Sequence, residues 1–206
     1  MGLDFKIGVF GGSFNPLHHG HLILAQDVLE TFELESLIFV PCGRPAHKHE
    51  ADLADPEHRL AMLEPIVELD PRFEVSDWEI RRQGVSYTID TLEALSRERG
   101  GQTLCFIAGS DTLPELHTWR RIADLLDAFP IVSLVRPGYS HEELGTMEFH
   151  LGPERKERLL ENLVLGHRVD ISSSDIRMRI AEGMSISYLV PSEVEMYIAE
   201  HGLYRA

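Results

Sequence analysis

Residues 8–21 read Gly-Val-Phe-Gly-Gly-Ser-Phe-Asn-Pro-Leu-His-His-Gly-His. Glycines at 11 and 12 let a ligand approach the backbone closely. A helix opening about ten residues later supplies unsatisfied N–H groups and partial positive charge, which favour an anion. Ser13 adds a hydroxyl, and His18 and His21 are three residues apart, so both can face one space at the helix start. His19, between them, reads as exposed. Several other chemistries fit poorly. GxGxxG is absent and the second apolar run ends in Val40-Pro41 rather than an acid for a ribose, which argues against a dinucleotide-binding dehydrogenase. GxxxxGK[ST] is absent, and Ser13 is not in GxSxG because position 15 is Asn. A zinc-dependent hydrolase using the histidines stays open as an alternative, although no third ligand is spaced for it. His141-Glu142-Glu143-Leu144-Gly145 fails HExxH at its last position.

Short strand-like runs alternate with helix-length segments and would carry these residues. Strands are expected at Lys6–Phe10, Leu37–Val40, Phe73–Ile80, Leu104–Ala108 and Ile131–Val135. Helices are expected at His21–Phe32, Pro56–Leu69 (Asp55 as N-cap), Thr88–Arg99, Trp119–Ala128, Glu154–Leu165, Ser174–Glu182 and Ser192–His201. That alternation implies α/β architecture: one doubly wound parallel sheet with helices on both faces and a C-terminal helical segment over about residues 170–206. No Ser/Gly linker divides residues 1–206, so a single domain is expected. A ligand should sit at the carboxyl ends of the strands, near the point where strand order reverses.

Composition narrows the partners. The 206 residues carry 19 Lys+Arg against 34 Asp+Glu, a formal net charge of −15. Such a surface does not suit nucleic acid, which needs Lys/Arg stripes. It leaves room for a phosphate ligand in one pocket, because salt screens distant charge beyond about 8 Å. No apolar stretch approaches the roughly 20 residues of a membrane span, and Met1–Lys6 reads as neither signal peptide nor myristoylation site. Cys42 and Cys105 form no CxxC pair, so a reduced, cytoplasmic setting is expected. Oligomeric state is not encoded in any pattern found.

The segment GGSFNPxHxGH resembles the nucleotidylyltransferase signature, with HxGH at His18-His19-Gly20-His21. Ile171-Ser172-Ser173-Ser174-Asp175-Ile176-Arg177 resembles that family's second signature, ISSTxIR, with Ser174 in place of the frequent Thr. Four further segments resemble the nicotinate mononucleotide adenylyltransferases: Pro45-Ala46-His47-Lys48, Ser86–Leu92, Gly109-Ser110-Asp111 with Trp119, and Arg136-Pro137-Gly138. Gly202-Leu203-Tyr204 also fits. The resemblance implies a Rossmann-like domain that transfers the adenylyl group of ATP to nicotinate mononucleotide, with Mg²⁺ arriving with ATP. It implies catalytic roles for His18, His21 and Arg177. The same histidines and arginine would bind ATP together with Gly11, Gly12, Ser13, Phe14, Ile171, Ser172 and Ser173. The mononucleotide would meet Asn15, Lys48, Thr88, Asp111 and Trp119, with Trp119 stacking on the pyridine ring and Asp111 holding a ribose. Asn15, Ala46 and Arg120 depart from the residues frequent at their positions. Arg120 could favour an acid over an amide, whereas recognition by main-chain N–H groups near Thr88 and Arg120 would leave its side chain outside the site. Trp119 could instead be a core anchor, and Asp90 a carboxylate complementing a helix start. A nicotinamide mononucleotide or phosphopantetheine acceptor, or a non-catalytic nucleotide sensor, are the alternatives on this fold.

Overall fold

Each β-branched or aromatic run in the first 135 residues has turn-forming residues at its end, and each becomes a strand of one parallel sheet. The computed structural model describes residues 5–45, 53–135 and 141–205. The first strands are β1 (Ile7–Gly12), β2 (Ser36–Pro41), the short β3 (Arg44–Pro45), β4 (Phe73–Val75) and β5 (Val85–Ser86). They are followed by β6 (Leu104–Gly109), β7 (Ile131–Leu134) and β8 (Leu163–Val164). The six-stranded sheet runs β4-β2-β1-β6-β7-β8, and β3 pairs with β5 separately. Every pairing is parallel. Strand order reverses between β1 and β6, which places a crevice beyond Gly12 and Gly109.

The helices are α1 (His19–Thr31), α2 (Pro56–Ala61), α3 (Glu64–Val67), α4 (Trp78–Arg82) and α5 (Thr88–Glu98). The remainder are α6 (Ile122–Ala128), α7 (His141–Thr146), α8 (Pro153–Glu161), α9 (Ser173–Ala181) and α10 (Ser192–His201). Two buried clusters flank the sheet. On one face Phe10, Phe39 and Ile107 pack with Val28 and Leu29 of α1, Ile176 of α9 and Val194 and Ile198 of α10. On the other, Val9, Ile38 and Phe106 pack with Ile89, Leu92 and Leu95 of α5 and Leu125 of α6. Alternate strand residues thus feed opposite layers, as burial on both faces requires. Among the described residues no helix is long and apolar enough to cross a membrane.

Four of the expected elements have different bounds. Helix Pro56–Leu69 is two short helices, because Pro65 cannot donate an intrahelical hydrogen bond. Asp55 holds the N-cap position of the first without a side-chain cap bond. Strand Phe73–Ile80 stops at Val75; the Ser76 hydroxyl accepts the Trp78 N–H at 3.4 Å and α4 begins. Helix Trp119–Ala128 starts only at Ile122, since Trp119 is extended and Arg121 is left-handed at φ +52°. Residues Ser110–Thr118 are instead a 3-10 helix. Helix Glu154–Leu165 ends at Glu161, and Leu163–Val164 adds a sixth strand alongside β7. The chain then crosses to α1, where Asp27 accepts the His167 N–H at 2.7 Å.

Cys105 lies in the centre of β6 with no exposed surface, and burial pushes its thiol up to about 12. At pH 8 almost none of it is thiolate, the reactive form. Cys105 should therefore react with an aromatic disulfide reagent only after denaturant opens the sheet. Rapid native-state labelling, located by peptide mapping, would contradict this placement.

Candidate active site

The segment 13–18 must turn the chain from the end of β1 into α1 within six residues. Phe14 takes a left-handed φ of +42°, which is uncommon for a side-chain-bearing residue, and Asn15-Pro16 is cis. The Phe14 ring is 1% exposed and packs edge-on against Phe10, Phe39 and His21, with its centroid 5.1 Å from that of the His21 ring. Any ligand contact from Phe14 must therefore come through its backbone.

His18 is the N-cap residue of α1. Its N–H donates to His21 Nδ1 at 3.2 Å, and the two imidazoles stack with centroids 3.7 Å apart. The spacing of three residues, read as two rings facing one space, is thus realised as a stacked pair at a helix N-terminus. Gly20 has a steric reason: a Cβ there would lie 2.9 Å from His18 Nδ1. His19 is not simply exposed. It is half-buried, and its N–H is capped by the Leu189 carbonyl at 3.0 Å.

The second signature docks onto the first. Ser172 caps α9 by accepting the Asp175 N–H at 3.1 Å. The Ser173 hydroxyl donates to the Pro16 carbonyl at 3.0 Å, and Arg177 Nη1 donates to the Asn15 carbonyl at 2.9 Å. The other side of the Arg177 fork reaches the Ser174 hydroxyl at 3.4 Å. Two helix N-termini, α1 and α9, are thereby held against one loop. Asn15 itself is 1% exposed, and its Oδ1 accepts the Ala54 N–H at 3.0 Å and the Tyr204 hydroxyl at 2.8 Å. Burial raises the Tyr204 phenol well above its ordinary value, so it stays a hydrogen-bond donor.

A cavity of about 390 Å³ opens at the crevice predicted from strand order. Gly11, Gly12 and Ser13 line one side, and Thr88, Trp119 and Arg120 another. Trp119 packs edge-on against Phe106 with centroids 5.9 Å apart while lining the cavity, so it touches both core and cavity. Asp111 is exposed at the start of the 3-10 helix; its neighbour Thr112 lines the cavity. Asp90 sits in the first turn of α5 and pairs with Arg82 at 3.3 Å. Lys48 and Arg136 lie outside the described residues. A second cavity, of about 410 Å³, lies at the opposite end of the sheet beside Thr103 and Ile131 and holds none of the signature residues.

Sequence reasoning missed two acidic or basic groups at the site. Glu79 is 9% exposed, lines the cavity and accepts the Thr91 hydroxyl at 2.6 Å. Arg59 is 1% exposed and donates to the carbonyls of Ala54 (2.9 Å), Ser13 (3.0 Å) and Gly43 (3.3 Å), and to Cys42 Sγ at 3.6 Å. A signal existed: Arg59 shares a helical register with the buried Met62, Leu63 and Ile66.

A family model described as cytidylyltransferase-like matches residues 9–179. A relative from Thermomicrobium roseum, named probable nicotinate-nucleotide adenylyltransferase, is 40% identical over 200 residues, covering 97% of this chain and 92% of its own. A relative of the same name from Moorella thermoacetica is 39% identical over 201 residues, with the same shares covered. Among solved structures, the Plasmodium falciparum nicotinic acid mononucleotide adenylyltransferase complexed with NaAD superposes with a TM-score of 0.75. It is 19% identical, and the match covers 97% of each chain, so it speaks for the fold.

Truncating Arg59 to Ala would strip donors from three part-buried carbonyls. Stability should fall by about 2–4 kcal/mol, given roughly 1–3 kcal/mol for a fully buried group left unsatisfied and partial access of water to these three. Urea unfolding checks this; a change under 1 kcal/mol would show that the clamp is dispensable.

Proposed function

This chain belongs to the cytidylyltransferase-like family and, within it, to the nicotinate-nucleotide adenylyltransferases, and from that membership we propose how its site works. It transfers the adenylyl group of ATP to nicotinate mononucleotide, giving nicotinate adenine dinucleotide and pyrophosphate, a step of NAD biosynthesis. The observation that carries this reading is the joint between the two signatures: stacked His18 and His21 at one helix start, and Ser173 and Arg177 bound to the same loop from a second. Two helix N-termini and a guanidinium beside one glycine-lined crevice form a receptor for a polyphosphate.

The reaction needs no protein nucleophile. A phosphate oxygen of the mononucleotide attacks the α-phosphorus of ATP as the bond to the bridging oxygen breaks. Pyrophosphate leaves with that electron pair. Negative charge grows on the α/β bridge, so donors aimed there lower the barrier. His18, His21 and Arg177 would supply those donors, and the backbone of Gly11–Phe14 would hold the chain of phosphates. The cavity beyond Gly12 would take the mononucleotide. Trp119 offers a flat wall for a flat ring, and Thr88 opens α5 at the far side. Asp111 would meet a ribose, Lys48 would contact the mononucleotide, and Asn15 would act by shaping the loop. Mg²⁺ would arrive with the substrate as MgATP and supply charge neutralisation at the phosphates. Among the described residues no group of three His, Cys, Asp or Glu is gathered for a metal. Cys42 and Cys105 are both thiols, and a cytoplasmic setting is part of the proposal.

Pyrophosphate release tests the assignment. With MgATP, nicotinate mononucleotide should support turnover in preference to nicotinamide mononucleotide and phosphopantetheine. ATP binding with no pyrophosphate from any acceptor would indicate a nucleotide sensor. His21→Ala should lower turnover by a factor on the order of 10²–10³ while leaving thermal unfolding little changed. Near-normal turnover would remove His21 from the mechanism.

A further inference from the structure

We propose that the Arg120 side chain makes this cavity selective for an acceptor ring bearing a carboxylate rather than a carboxamide. The inference rests on the adenylyltransferase reading above and concerns the same cavity. Two carboxylates, Glu79 and Glu115, line it, and Arg120 is the one Lys, Arg or His among its described lining residues. Without Arg120 the charged groups of the described lining would all be carboxylates, which would repel a third. Neighbouring guanidiniums are already matched to acids. Arg121 pairs with Glu93 at 3.0 Å and Asp124 at 2.8 Å, and Arg82 with Asp90 at 3.3 Å.

Among the described residues Arg120 has no carboxylate in ion-pair range. Its guanidinium carbon instead sits 4.6 Å from the centre of the Tyr87 ring. A cation–π contact holds a guanidinium in place without neutralising it, and leaves its N–H edge free to donate. Tyr87 is the N-cap residue of α5, and Thr88, the first residue of that helix, lines the cavity as well. Arg120, although exposed, thus rests beside a helix start whose partial charge has the same sign. Together they would offset Glu79 and Glu115 where the pyridine substituent lies against Trp119. This side-chain role adds to, and differs from, reception of the carboxylate by main-chain N–H groups.

Calorimetric titration of the whole chain with nicotinate mononucleotide and with nicotinamide mononucleotide reads the selectivity directly. Wild type should favour the acid. Arg120→Gln should weaken acid binding by roughly tenfold to a hundredfold, the usual range for a hydrogen bond to a charged group, and amide binding far less. Arg120→Lys should fall between, keeping charge but losing the planar fork. Tyr87→Leu, which removes the aromatic support, should shift the ratio in the same direction, and serves if Arg120→Gln does not fold. An unchanged acid-to-amide ratio in these variants would overturn the proposal. Equal loss of both mononucleotides would also overturn it, marking Arg120 as merely structural. Wild-type pyrophosphate release is measured alongside. Its failure with every acceptor would refute the activity while the binding ratio still judges Arg120.

Discussion

Three carbonyls at the ligand end of the sheet, those of Ser13, Gly43 and Ala54, converge on the single buried guanidinium of Arg59. Ser13 follows β1, Gly43 follows β2, and Ala54 precedes α2, so one side chain ties three connections that no strand ladder reaches. Buried carbonyls need donors, and a planar fork with five N–H groups can serve several at fixed angles. Asn15 extends the knot by accepting from Ala54 and Tyr204, while its own carbonyl receives Arg177. Through these links α2, α9 and the C-terminal residues bear on the same six-residue turn. The stacked histidines owe their placement to that turn. The catalytic contribution expected of them is geometric, and geometry is what the knot supplies.

The charge distribution fits this economy. Much of the net charge of −15 lies on outer surfaces, where Glu30 and Glu157 are exposed on α1 and α8 and Glu33 in the turn after α1. Within the crevice, attraction for phosphates would come from helix N-termini, imidazoles and Arg177, short-ranged groups that salt screens less than a surface field. Such an arrangement can take two anionic nucleotides without making the whole surface adhesive to nucleic acid. It also explains why individual cations matter. Arg82, Arg99 and Arg121 are matched to acids, while Arg120 rests on Tyr87.

What could be read in the sequence followed from periodicity and local chemistry. Leu37–Val40 and Leu104–Ala108 are apolar throughout because they are covered on both faces, and that alone marks them as central strands. The histidine pair was legible because Gly20 and the spacing of three are steric requirements of the local turn. The Trp119 region misled because an aromatic residue at helical spacing from Ile122 and Leu126 mimics an amphipathic start. The left-handed Arg121 breaks the helix there, and neither backbone preference nor burial announces it. β8 is only two residues long, too short to carry a pattern. Arg59 was hidden for a different reason. A charged residue ordinarily reads as surface, and only three distant carbonyls reveal why it is buried.

The central claim is that the protein aligns two nucleotides and stabilises a single displacement at the α-phosphorus. The most direct measurement is the stereochemical course of the reaction, using ATP made chiral at that phosphorus by one sulfur and analysing the configuration in the dinucleotide product. One in-line attack by the mononucleotide must invert the configuration, and inversion is the expected result. Retention would require two displacements and an adenylylated protein side chain, and would contradict a site whose residues only orient and stabilise.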